Sequence, residues 1–310
     1  MQKQAIFLMG PTAVGKTALA MQLSQQLPID IISVDSAMVY RGMDIGTGKP
    51  TTAELAQYPH KLIDICDPSY AYSAAQFCND ARLAMQESWQ QQRVPLLVGG
   101  TMLYFKALQF GLAELPTADA NLRFELQQQA EQFGAQFMHE KLAALDPESA
   151  QRLNANDTQR VQRALEINIL TGKSLNEHFK LQSSIDLDYE LFSFAIMPTS
   201  REELHEKIAL RFDQMLAAGF ITEVEKLYQR GDLNPDLPSM RAVGYRQAWD
   251  YLEQQIDFAT MREQAIAATR QLAKRQHTWL RSWPKIINIE NSNNTALDTL
   301  IRSVLHSRDN

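Results

Sequence analysis

The stretch Gly10-Pro11-Thr12-Ala13-Val14-Gly15-Lys16-Thr17 follows the apolar run AIFLM (5–9) and precedes ALAMQLSQQL. Its spacing is that of a P-loop, G-x-x-x-x-G-K-[ST], in the setting the motif needs: strand, glycine-bounded turn, helix. Such a loop turns successive backbone N–H groups and a helix N-terminus onto an anion. Lys16 adds a point charge, and the Thr17 hydroxyl is of the type that ligates Mg²⁺. Phosphate binding follows from this segment; hydrolysis of a nucleoside triphosphate does not.

Other residues could complete a site. Asp35 directly follows IISV (31–34), so it stands at the carboxyl end of a strand, the ligand side of an open α/β sheet. There it could ligate a metal, act as general base for a nucleophile, or only cap the next turn. Thr101 holds the equivalent position after PLLVGG (95–100). A P-loop kinase or ATPase usually places a Mg²⁺-holding acid at such a strand end, and no carboxylate stands here. Arg211 lies in SREELHEKIALRFDQMLAAG, a helix that opens with Ser200 and Glu203 as a capping box and ends at Gly219. At roughly 100° per residue it shares an apolar stripe with Leu204, Ile208 and Met215. A cation there needs a partner, either a structural carboxylate or a bound anion.

The elements that must position these groups are legible as a pattern. Apolar runs at 5–9, 31–34, 61–65 (KLIDI) and 95–100 alternate with helical stretches, notably 16–27 and 73–92. That alternation predicts an α/β fold of the P-loop NTPase type, a parallel sheet covered by helices on both faces. A fifth run, LFSFAIM (191–197), comes only after a long helical interval. Within it NLRFELQQQAEQF is closed by Gly134, QFMHEKLAAL by Asp146-Pro147, and DTQRVQRALEINILTG runs from Asp157 as N-cap to Gly172. The pattern predicts a helical insert over 115–190, interrupting a core of 1–114 and 191–310. The chain then reads as helical to Trp283, where Pro284 stops it. KIINIE and ALDTLIRSVL predict a last strand and helix.

Composition narrows the classes. The 310 residues are 45% hydrophobic and 21% charged, as in ordinary globular proteins. No apolar run is long enough to span a membrane, and the first strand begins too early to leave room for a signal peptide. Cys66 and Cys78 lack C-x-x-C spacing, so neither a disulfide framework nor a thiolate zinc site is expected. A cytoplasmic monomer is the expectation. The net charge of −6 argues weakly against a nucleic-acid partner. Locally the balance reverses: 270–285 holds Arg270, Lys274, Arg275, Arg281 and Lys285 and no acid. On a helix, Arg270, Lys274, His277 and Arg281 line one stripe, with Leu272, Trp279 and Trp283 opposite. Such a stripe is either a solvated face or a phosphate-binding one.

Taken in order, GPTAVGKT, DSAMVYRGMDIGTGKP, LLVGGTMLYFKAL, LPSMRAVGYRQ and TRQLAKRQHTWLR resemble the successive motifs of the bacterial tRNA dimethylallyltransferases, from about residue 5 to 283. The P-loop is shared by many families; the second and last blocks are far more specific. The resemblance implies transfer of a dimethylallyl group from its diphosphate to the N6 amine of the adenine on the 3′ side of the anticodon. A carbon–oxygen bond would break, and no phosphoryl group would move. It implies Asp35 as base at the reacting nitrogen and Thr101 as a second contact to that nucleotide. Gly10 to Thr17 and Arg211 would hold the diphosphate, with Mg²⁺ on Thr17. As tRNA contacts it implies Asp35, Ser36, Ala37, Met38 and Thr101 beside the site, and Arg123, Gln159, Arg160, Val161, Gln162 and Arg163 in the insert. In the C-terminal blocks it implies Arg241, Gly244, Tyr245, Arg246, Lys274, Arg275, His277, Trp279 and Arg281. Two readings compete: a small-molecule P-loop kinase with the insert as lid, and a nucleotide-dependent RNA-binding module.

Overall fold

The structure, a computed structural model, describes residues 3–117, 119–180 and 187–290. The first half of the core runs β1 (Gln4–Met9), α1 (Lys16–Gln26), β2 (Ile29–Val34), α2 (Thr52–Gln57), β3 (His60–Lys61), α3 (Ala74–Gln90), β4 (Val94–Gly99) and α4 (Met102–Phe110). Helices α5 (Ala120–Leu145), α6 (Pro147–Arg152), α7 (Thr158–Thr171) and α8 (Leu175–Lys180) follow. The chain then forms β5 (Glu190–Met197), α9 (Arg201–Ala217), α10 (Phe220–Tyr228), α11 (Tyr245–Leu252), α12 (Phe258–Arg281) and β6 (Ile287–Glu290).

The strands form one sheet in the order β3-β2-β4-β1-β5-β6, and every neighbouring pair is parallel. β1 and β4 are buried along their whole length, which is why they read as unbroken apolar runs instead of alternating ones. This is the α/β architecture expected from the sequence. Of the run KLIDI only Lys61 joins the sheet, with His60 before it. Leu62 and Asp64 take φ of 64° and 57°, and left-handed backbone cannot continue a strand. KIINIE supplies β6, while ALDTLIRSVL lies outside the described residues. No helix among the described residues is long and apolar enough to cross a membrane.

The chain divides into two compact units, Met1–Gln109 with Leu187–Asn310, and Phe110–Asp186. The second unit thus begins and ends a few residues before the span 115–190 expected for the insert. Its core is Leu126, Met138, Leu142, Ala150, Val161, Ala164 and Leu165. Gly134, at φ 82° and ψ 172°, breaks α5 into two segments. Asp146 ends that helix and caps the next, with Pro147 at the first position of α6. Asp157 and Gly172 bound α7 as the sequence suggests. On α9 only half of the capping box forms. The Ser200 hydroxyl accepts from the Glu203 N–H at 3.0 Å, but the Glu203 carboxylate pairs with Lys207 at 2.6 Å.

Between β2 and α2 the chain carries no regular element except an isolated bridge at Tyr40, yet it is pinned at both ends. The Lys49 side chain, 2% exposed, donates to the Tyr40 carbonyl at 2.6 Å and pairs with Asp44 and Asp64. The Glu223 carboxylate on α10 accepts the backbone N–H groups of Asp44 (2.9 Å), Ile45 (2.7 Å) and Gly46 (3.1 Å), and the Tyr245 hydroxyl. Removing this acceptor strands several donors together. Glu223→Ala is therefore expected to lower unfolding free energy by ~2–4 kcal/mol, whereas Glu206→Ala on an exposed helix face stays within about 0.5 kcal/mol. Denaturant titration of both variants checks this.

Candidate active site

Gly15, at φ 88°, stands at the N-cap of α1 without a side-chain cap, and Ala13 adopts φ 66° although it is not glycine. Left-handed backbone at these positions curls the segment so that consecutive N–H groups face inward, the geometry of an anion nest. The Lys16 side chain is half-buried, and its ammonium donates to the Pro11 carbonyl at 2.6 Å. Its pKa is pushed down to about 7, chiefly by burial and next by Arg211, with Asp35 acting in the opposite sense.

Arg211 reaches the same place from α9. Its Nη2 lies 3.4 Å from the Thr47 carbonyl, its approach made possible by Gly48, where any Cβ would fall 1.9 Å from that nitrogen. Burial lowers its pKa as well, and Asp35 again opposes the shift. Among the described residues neither cation forms an ion pair with a carboxylate, so the structural-carboxylate alternative for Arg211 is not realised. Two like charges in a desolvated place are electrostatically complete only with an anion between them.

Asp35 stands at the end of β2, with both of its backbone bonds on one oxygen. Oδ1 accepts from the N–H groups of Ala37 at 2.8 Å and Met38 at 3.2 Å. It does cap its turn, and Oδ2 takes no bond among the described residues. Thr101 is joined to the same turn: its hydroxyl accepts from the Ser36 N–H at 3.0 Å and lies 3.3 Å from the Ser36 hydroxyl. Register sets this up, because Val34 pairs with Gly99 where β2 and β4 end. No group of three or more His, Cys, Asp or Glu among the described residues could hold a metal ion. The donor set suits a magnesium ion held by the Thr17 hydroxyl and by ligand phosphate oxygens, not an all-protein cage.

The basic helix is α12, and its buried face is not the one the large apolar residues suggest. Ala265, Ile266, Ala273, Gln276 and Leu280 pack inward, so Trp279 is 36% exposed, with the Lys106 ammonium 5.5 Å from its ring centroid; Trp283 is buried. On this face Gln276 comes close to the end of β4, where Gly100 leaves room for its amide. Lys274, Arg275 and Arg281 are exposed, His277 and Arg270 half-buried. Arg241 and Arg246 are exposed, but Gly244 and Tyr245 between them are buried. Gly244 turns the chain at φ 92° into α11, and the Tyr245 hydroxyl is committed to Glu223, which together with burial raises its pKa far above the usual value. Neither is available to touch RNA. In the second unit Val161 is 1% exposed, a core residue and not a surface contact. Arg123 and Arg163 converge on the buried Glu166 at 2.6 and 2.9 Å, while Gln159 and Arg160 are exposed and Gln162 donates to the Arg123 carbonyl.

The sequence reading missed Gln276, Glu223 and Lys49. Gln276 could have been found as a polar residue in the apolar stripe of a helix. Nothing local marks Glu223, whose backbone partners lie 177 to 179 positions away along the chain.

Known proteins share this fold and sequence. The family described as IPP transferase matches residues 38–283, and one described as isopentenyl transferase matches residues 3–68. The chain is 55% identical over 309 residues to a tRNA dimethylallyltransferase of Thioalkalivibrio sulfidiphilus, covering 99% of this chain and 97% of that protein. Among solved structures, the tRNA isopentenylpyrophosphate transferase of Bacillus halodurans is similar at 36% identity and a TM-score of 0.71, over 100% of this chain and 98% of that one. That of Staphylococcus epidermidis is similar at 32% and 0.71, over 99% and 100%. A eukaryotic dimethylallyltransferase acting on tRNA is similar at 26% and 0.77, over 99% of this chain and 79% of that one. A P-loop with a second cation, Arg211, close to its lysine, and with a carboxylate and a hydroxyl at the neighbouring strand ends, is thus set within a chain that belongs to the IPP transferase family.

Proposed function

We infer that this protein transfers a dimethylallyl group from dimethylallyl diphosphate to the N6 amine of the tRNA adenine on the 3′ side of the anticodon. The observation that carries the reading is the convergence of Lys16 and Arg211, both desolvated and without carboxylate partners among the described residues, beside Asp35 and Thr101. A kinase reading finds no support at the end of β4, where Gly99, Gly100 and Thr101 stand in place of an acid.

In this mechanism the N6 lone pair attacks the allylic carbon bonded to oxygen, the carbon–oxygen bond breaks, and the diphosphate leaves with the bonding electrons. The loop N–H groups, Lys16 and Arg211 stabilise the charge that grows on the leaving oxygen. Asp35 Oδ2 takes the proton released from N6, while Oδ1 keeps the carboxylate oriented through Ala37 and Met38. Thr101 and Ser36 line the place of the same nucleotide. The Thr17 hydroxyl would hold a magnesium ion, which when bound would supply positive charge to offset that growing on the leaving group. The adenine must leave its stack to reach Asp35. Lys274, Arg275 and Arg281, exposed on α12, supply cations to the tRNA backbone, with Arg241, Arg246 and the outer face of α7 as further contacts. The chain acts in the cytoplasm as a monomer.

The Lys16 pKa gives a signed expectation. Above about pH 7 the free amine loses its proton, and binding a diphosphate restores it. Binding then takes up a proton, so donor affinity falls as pH rises, by up to about tenfold per pH unit. Lys16→Met should weaken donor binding and flatten this dependence; calorimetry with dimethylallyl diphosphate across the range measures both.

For the RNA face, charge reversal at Lys274 and Arg281 should weaken tRNA binding and reduce its log–log salt slope by about one for each phosphate no longer neutralised. A slope equal to that of the parent protein would make α12 an ordinary solvated surface.

Asp35→Asn keeps the shape and removes the charge. Both substrates should still bind while single-turnover transfer falls by ~10²–10⁴. Recovery of the full rate in a magnesium titration would instead make Asp35 a metal ligand.

A further inference from the structure

Gln276 belongs to the helix that carries the exposed cations, yet its own side chain points the other way. The residue is 7% exposed. Its Oε1 accepts the Thr12 N–H at 2.9 Å, and its Nε2 donates to the Gly100 carbonyl at 2.9 Å. One carboxamide therefore bonds the P-loop just after β1 and the turn just after β4. The approach depends on glycine, because a Cβ on Gly100 would lie 2.3 Å from the Gln276 nitrogen.

We propose that Gln276 is a positioning residue of the transfer site, fixing the P-loop and the Thr101 turn in register with the RNA-facing helix α12. The proposal rests on the transferase reading above. Turning the Thr12 N–H into the protein leaves the amides of the following loop residues to define the anion site. Fixing Gly100 fixes its neighbour Thr101, whose hydroxyl holds Ser36 and with it the turn that Asp35 caps. The donor-binding half and the base-bearing half thus share one hinge point. Only a group with one donor and one acceptor at this reach fits. Asparagine is a methylene too short, methionine offers neither bond, and an ionised glutamate sets a second acceptor against the Gly100 carbonyl. A protonated glutamate again has one of each.

The test uses the full-length protein, radiolabelled dimethylallyl diphosphate and tRNA, with Gln276→Met and Gln276→Glu beside the parent. Transfer by the parent is read first; if it transfers no label to tRNA, the transferase reading itself fails and Gln276 is not at issue. Gln276→Met should lose at least about tenfold in single-turnover rate at saturating substrates, with tRNA affinity within about twofold of the parent. Gln276→Glu should be similarly slow near pH 8, and its rate relative to the parent should climb towards about pH 6 as the carboxyl gains its proton. A thermal melt accompanies each variant, and if the methionine variant does not fold, the pH ratio of the glutamate variant alone decides. A parent-like rate in Gln276→Met, a flat ratio for Gln276→Glu, or a loss confined to tRNA affinity overturns the proposal.

Discussion

The organising constraint of this molecule is the placement of two cations, Lys16 and Arg211, in a desolvated site without carboxylate partners among the described residues. Burial lowers the hold of both on their protons, and the guanidinium lowers that of Lys16 further. Folding tolerates such an arrangement because it is local, and an anion placed between the two cations would complement their charge. Asp35 moderates the repulsion through space without pairing with either group, and its Oδ2 takes no bond among the described residues.

The surrounding fold reads as a set of anchors for that site. A parallel sheet buried on both faces brings the ends of β1, β2 and β4 to one edge, where the P-loop, Asp35 and Thr101 emerge. The irregular chain after β2 would be free to move without Lys49 and Glu223, whose side chains gather backbone groups that no helix or strand satisfies. Through Thr47 and Gly48 this same segment receives the guanidinium of Arg211. Gln276 does the corresponding service between the P-loop and Gly100. Polar side chains with fully used hydrogen bonds, more than apolar packing, set the geometry around the chemistry.

The arginines of the second unit show how a basic residue divides its duties. Arg123 and Arg163 share Glu166, a carboxylate 1% exposed; the Arg123 pair joins α5 to α7, while Arg163 pairs along its own helix. Removing either would leave a buried carboxylate short of partners. Lys274 and Arg281 carry no such structural duty, and α12 offers the cleaner reading of an RNA-facing surface.

By itself the sequence determined the elements and the chemistry of the loop. The P-loop spelling, the strand-end position of Asp35, the helix caps at Asp157 and Ser200 and the basic block of α12 are all local signals, written within a few residues of one another. The apolar stripe that singled out Arg211 was legible too, since helical periodicity is short-range. Tertiary structure alone decided which cations lack carboxylate partners among the described residues, which face of α12 packs, and that Gly244 and Tyr245 are interior residues. It also decided the short β3, because left-handed backbone at Leu62 and Asp64 overrides the apolar run. The bonds of Glu223 and Gln276 join segments far apart along the chain, and a hydrogen bond between distant segments depends on three-dimensional proximity, which no local pattern of residue types encodes.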